Sequence, residues 1–409
     1  MDRPRPGGDA QVMGLRRWIS LFVLVVLIGP LPAWGQSCRS SSTGLIPLTD
    51  LGPGSYLGEK GGLYPEGSNE IPADHLAIGL ERSAQVVPRN PAGSPDPAGS
   101  IGLVSFGVSN TFQEFEAFMS LLSGDERINP LLVLVNGAQG AKPLTDWADG
   151  QGVWETVDER LAATGVAAPQ IQVAWLKIPD AEAGSPTMEA AAEDAVKLGS
   201  IVADLDTRFP NLELVFLSSR IYGGFINEPE RTEPSAYQDG FAVRWAIEEQ
   251  LAGTAALDPR TAAPWMAWGA YLWADGSNPR SDGLTWECED FERGGQRGVH
   301  PSASGSFKVA GLLYDFFSSS PVTVPWFLAD GIVPPASSTV TAGATTTMSV
   351  RTTSAAVTSL TSSSPTTVAI PADTGPPAAS EGGSNGLLIG AAALIGLVVG
   401  AYIFRRRGG

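Results

Sequence analysis

The stretch Ile101-Gly-Leu-Val-Ser105-Phe-Gly107-Val-Ser109-Asn-Thr111-Phe-Gln-Glu114 decides the fold. Its first half is a short apolar run bounded by glycine, which reads as a strand over Ile101–Phe106 buried on both faces. Its second half changes period. Phe112, Phe115, Phe118 and Leu122 recur at helical spacing, which predicts a helix over Thr111–Leu122. Thr111 followed three residues later by Glu114 matches a capping box and places the helix start at that threonine. A strand that runs straight into a helix is the repeating unit of a parallel sheet.

The unit recurs outward along the chain. Strands are expected at Leu131–Val135, Ile171–Leu176, Leu212–Leu217 and Trp265–Trp268. Helices are expected at Val153–Thr164, at about 187–208, at Tyr237–Leu251 and at Ser304–Phe317. This alternation predicts an α/β fold, a mostly parallel five-stranded sheet with helices on both faces. In such sheets ligands bind outside the carboxyl ends of the strands, so chemistry is sought in the turns that follow them.

The two ends of the 409-residue chain read differently. Residues 1–35 look like a signal peptide: Arg16 and Arg17, an apolar run from Ile19 to Leu31, then the small residues of Ala33-Trp34-Gly35. The apolar run Gly386–Phe404 would span about 28 Å as a helix, enough to cross a bilayer. The basic tail 405–409 that follows sets its cytoplasmic side. Between them, residues 331–385 are rich in Ser, Thr and Pro and cannot bury enough apolar surface to fold, so a disordered linker is expected. The folding domain is therefore expected within 36–330. The expected location is the cell surface, as a single-pass membrane protein with that domain outside.

Composition narrows the function. The net charge is −17, with 26 Lys and Arg against 43 Asp and Glu, which argues against nucleic acid as a partner. Two cysteines and two histidines cannot build a Cys/His zinc module or an iron–sulfur site, so no metal or other cofactor is expected. In an oxidising compartment Cys38 and Cys288 are expected to pair. A general-base histidine must be His75 or His300. His75 precedes the first core strand and reads as structural. His300 stands in Gly298-Val-His300-Pro-Ser302-Ala-Ser304-Gly, on a loop stiffened by proline just before the last helix. Ser109 stands at a strand-to-helix turn, next to the unpaired N–H groups of a helix N-terminus, a setting that suits a nucleophile whose attack creates an oxyanion. In the second turn, Asn136-Gly137-Ala-Gln139-Gly140, the glycines let backbone N–H groups approach a ligand. Each of these residues also has an ordinary structural use in a turn or loop. The aromatic run Trp265, Trp268, Tyr271, Trp273 and Trp286 suits a sugar face or an acyl chain, and suits core packing better.

A serine after the first strand, glycine after the second and a late His-Pro-Ser before the final helix together resemble the SGNH (GDSL-type) hydrolase superfamily, over roughly residues 100–320. The stretches Leu217–Gly224, Glu233–Trp245 and Trp273–Trp286 are similar to a secreted bacterial branch of it. The resemblance implies a three-layer flavodoxin-like sandwich and ester hydrolysis, with Ser109 as nucleophile, His300 as base and an oxyanion hole that includes Gly137 and Gly140. The chain departs from the family pattern in three places. Val108 replaces the aspartate of Gly-Asp-Ser. No asparagine follows the third strand, which leaves Lys177 as the expected further oxyanion donor. Arg297 occupies the position of the His-orienting aspartate, so Asp290 or Asp282 would have to supply that carboxylate. The expected function is a membrane-anchored esterase acting on small-molecule or carbohydrate esters, acetyl esters among them. The alternative is a non-catalytic surface binding module on a degraded SGNH fold.

Overall fold

Strand β3 (Ile101–Gly107) is buried along its whole length and forms the second position of a five-stranded parallel sheet. It is numbered after a small antiparallel hairpin, β1 (Ser55–Tyr56) with β2 (Glu59–Lys60). The other core strands are β4 (Leu132–Asn136), β5 (Ile171–Lys177), β6 (Leu214–Leu217) and β7 (Trp265–Trp268), in the order β4-β3-β5-β6-β7. The computed structural model describes residues 40–150, 152–178, 187–226, 232–293 and 298–330. These all fall within one compact unit, Cys38–Gly409. The expected signal peptide, Cys38, Arg297, the Ser/Thr/Pro-rich linker, the apolar run 386–404 and the basic tail lie outside the described residues. Among the described residues, no helix is long and apolar enough to cross a membrane.

The helices in chain order are α1 (Leu48–Leu51), α2 (Ala73–Ser83), α3 (Ser109–Leu122), α4 (Leu144–Ala148), α5 (Trp154–Thr164), α6 (Met188–Arg208), α7 (Ser235–Leu251), α8 (Ala303–Ser319) and α9 (Val324–Phe327). They cover both faces of the sheet, as the strand period requires. Ser105, Trp175 and Phe216 are register partners and share one face. On that face Trp175 stacks on Phe115 of α3, and Phe216 meets Phe316 and Phe317 of α8. Phe106, one residue along from Ser105, points the other way and touches Trp147 of α4, Trp154 of α5 and Phe209 at the end of α6. Burying each such ring contributes on the order of 1.5–3 kcal/mol, so the two-sided apolar strands are what hold helices on both faces.

Two consequences bear on the site. The aromatic run is core: Trp265, Trp273 and Trp286 are fully buried, and Trp268 nearly so. His75, on α2, is buried too, stacked on Trp265 with its Nε2 2.8 Å from the Met266 carbonyl oxygen. Burial pushes this imidazole below its usual range, against the hydrogen bond to Met266.

Candidate functional site

The turn after β3 is tighter than the capping-box reading predicts. Helix α3 begins at Ser109, two residues earlier than expected, and its N-cap, Val108, supplies no side-chain cap. Thr111 and Glu114 do not cap the helix. The Thr111 hydroxyl donates to the Lys177 carbonyl oxygen at 2.6 Å, and the Glu114 carboxylate accepts from Lys177 Nζ at 2.7 Å through both oxygens. Both side chains therefore tie α3 to the end of β5. Gly107 makes this approach possible, because a Cβ there would lie 2.3 Å from the Lys177 carbonyl oxygen. The Ser109 N–H stands in the uncapped first turn of α3, at the positive end of the helix.

Gly137 and Gly140 come to the same place. A Cβ on Gly137 would sit 2.6 Å from the Ser105 carbonyl oxygen, so this turn closes over the end of β3 only with glycine. The Gln139 N–H donates to the Gly107 carbonyl oxygen at 2.8 Å, which fastens the turn after β4 to the turn after β3. Gly140 then lies beside Ser109: a Cβ on it would be 3.9 Å from that of the serine.

His300 arrives from the other end of the chain. Its loop is pinned on both sides: the Asn110 side chain donates to the Val299 carbonyl oxygen at 2.7 Å, and the Ser302 N–H donates to the Asp290 carbonyl oxygen at 2.8 Å. Ser302 caps α8 by accepting from the Gly305 N–H. Gly298 has a φ of +78°, and a Cβ on it would strike the Phe225 backbone at 2.4 Å. Held this way, His300 Nε2 lies 2.8 Å from Ser109 Oγ, a normal hydrogen bond between residues 191 apart in sequence. The imidazole is partly exposed, so the pair is open to solvent.

Three sequence expectations find their side chains committed elsewhere. Lys177, expected to donate to an oxyanion, is 1% exposed and bonds Glu114, itself 0% exposed; its ammonium serves that carboxylate inside the core. Burial pushes the Glu114 carboxyl up and the Lys177 ammonium down, and the opposite charge of each partner holds both back. Asp290, expected to orient His300, pairs instead with Lys308 and accepts from the Glu287 N–H at 2.9 Å. Asp282 bonds Arg280 at 2.6 Å. The carboxylate that does approach the base is Glu292, whose Oε2 lies 3.9 Å from His300 Nδ1. It stands nearer to His300 in sequence than Asp290 or Asp282, but the family pattern points to an aspartate, and only the antiparallel pairing of residues 291–292 with 300–301 shows that Glu292 faces the ring. Cys288 sits in a 3-10 turn over Cys288–Asp290, and there is no free cysteine among the described residues. No group of three or more His, Cys, Asp or Glu side chains able to hold a metal occurs among the described residues.

No family model matches the chain, and no curated protein matches it. Among solved structures, an X-ray structure of a protein from Arabidopsis thaliana is similar over 51% of this chain and 67% of that one, at 14% identity and a TM-score of 0.29.

Proposed function

We propose that this chain is a serine-dependent esterase of the SGNH type, with a flavodoxin-like three-layer domain. It acts outside the cell on small-molecule or carbohydrate esters, acetyl esters among them, from a membrane tether at its C-terminus. The observation that carries the reading is the 2.8 Å contact between Ser109 Oγ and His300 Nε2. It joins a helix-start serine to a loop histidine, each held by its own set of backbone bonds. The strand order β4-β3-β5-β6-β7 supports the reading, since it matches the order expected of a flavodoxin-like sheet, and Ser109 follows the carboxyl end of the first core strand.

In this mechanism His300 Nε2 accepts the Ser109 proton as Oγ attacks the ester carbonyl. Negative charge develops on the carbonyl oxygen and is met by the N–H groups of Ser109 and Gly140. The protonated His300 returns its proton to the leaving alcohol, and the acyl-serine forms. Water, deprotonated by the same imidazole, then releases the acid. With Lys177 held by Glu114, the oxyanion hole in this reading is built from backbone alone. The bridge Cys38–Cys288 belongs to the proposal as a staple between the start of the exported chain and the turn before the His300 loop.

The test is turnover of short-chain acyl esters by the full chain, beside Ser109→Ala and His300→Ala. Each substitution is expected to lower kcat by several orders of magnitude, and the double variant to lose little more than either single one, because the two act as a unit. Absence of turnover by the unaltered chain, or turnover that survives Ser109→Ala, would favour the non-catalytic binding module on the same fold.

A further inference from the structure

Glu292 is tied to His300 by backbone before its side chain is considered. The Glu292 N–H donates to the His300 carbonyl oxygen at 2.9 Å, and Phe291 forms an antiparallel bridge with Pro301. Residues 292 and 300 therefore stay opposite each other while their side chains move. The Glu292 carboxylate then reaches two ways. Oε2 lies 3.9 Å from His300 Nδ1, and Oε1 accepts from Gln113 Nε2 at 3.0 Å. Gln113 stands on α3 four residues after Ser109, on the same side of that helix. One carboxylate thus spans from the helix that carries the serine to the ring that would deprotonate it. Among the described residues no other carboxylate comes within 4 Å of the imidazole. Asp290, the next acid back along the chain, is held by Lys308 on α8.

We infer that Glu292 is the positioning residue for His300, with Gln113 holding it in place; this rests on the Ser109–His300 reading above. At 3.9 Å the contact is an ion pair in waiting and not yet a hydrogen bond. When Nε2 takes the Ser109 proton, the ring becomes a cation with its Nδ1–H directed at Glu292. The carboxylate closes the gap by a side-chain rotation, with no backbone movement. Its side chain is 47% exposed, so water screens much of the attraction. The expected contribution to rate is about two- to fivefold, well short of the roughly 10⁴ that a buried aspartate contributes in a serine protease.

The experiment compares the full chain with Glu292→Gln, Glu292→Asp and Gln113→Ala. It reads fluorophosphonate labelling rate, kcat and KM on a short acyl ester, and melting temperature. Glu292→Gln is expected to label and turn over about two- to fivefold more slowly. The loss falls on kcat with KM unchanged, and the melting temperature stays put. Glu292→Asp keeps the charge and recovers part of the rate, and Gln113→Ala shows a smaller loss in the same direction. In 1 M salt the gap between the unaltered chain and Glu292→Gln narrows, as a charge effect requires. An unaltered chain that labels, with Glu292→Gln labelling equally fast, overturns this inference and leaves the serine–histidine reading standing. Equal losses in the Gln and Asp variants, with a lowered melting temperature, assign Glu292 a structural role and also overturn it. An unaltered chain that does not label overturns both.

Discussion

Ser109 and His300 were legible one residue at a time, because each stands in a local context that sequence displays: a strand end before a helical period, and a proline-stiffened loop before a helix cap. Lys177 and Glu114 were misread for a matching reason. Each lies in a pattern with a surface meaning, a post-strand turn and a capping box, and only packing shows that they meet in the core. Removing one partner of such a buried pair strands the other charge. Lys177→Met should therefore lower stability in urea unfolding by about 3–5 kcal/mol, while Lys177→Met with Glu114→Leu should regain most of it. Ester turnover per folded molecule should survive in the double variant. Its loss there would return Lys177 to the oxyanion hole.

The elements that build the site were visible as types, and their junctions were not. The strand and helix periods place β3 and α3 correctly, yet the start of α3 shifts to Ser109 because Thr111 is drawn to the Lys177 carbonyl oxygen. Glycine chemistry at these junctions gives a contrast that can be measured. Gly107→Ala puts a methyl group 2.3 Å from that carbonyl oxygen and must push β5 and α3 apart, whereas Gly140→Ala meets only an ordinary contact at 3.9 Å. Thermal melts should show Gly107→Ala destabilised by about 1–3 kcal/mol. Gly140→Ala should stay within about 0.5 kcal/mol of the unaltered chain. Equal effects would mean that the β3–α3 turn is looser than described. Helices α2 and α4 escaped the sequence reading: α4 is only five residues long, and α2 lies ahead of the first core strand, where no alternation announces it.

At the scale of the whole molecule, the order of elements was legible because a doubly covered sheet writes itself as alternating periods. The long-range straps were not, since nothing local predicts them. Asp275 is one: its carboxylate accepts from the Ser42 hydroxyl, the Thr43 hydroxyl and the N–H groups of Thr43 and Gly44, which hooks the start of the described chain onto the loop after β7. Burial alone would raise this carboxyl; the hydrogen bonds from Ser42, Thr43 and Gly44 outweigh it and hold the carboxyl below its usual range. A folded value below the unfolded one gives a contribution fully present above about pH 4 and lost as pH falls further. Melting temperature should therefore drop more steeply below about pH 4 in the unaltered chain than in Asp275→Asn, which starts lower and changes less. Parallel curves would exclude Asp275 as the source of acid sensitivity. The central claim, that Ser109 is a nucleophile activated by His300, is tested most directly by fluorophosphonate labelling of the full chain, with the adduct located by peptide mass spectrometry. One adduct is expected, on Ser109, formed by the unaltered chain and suppressed in His300→Ala. No adduct, or an adduct on Ser109 that forms equally fast without His300, would contradict it.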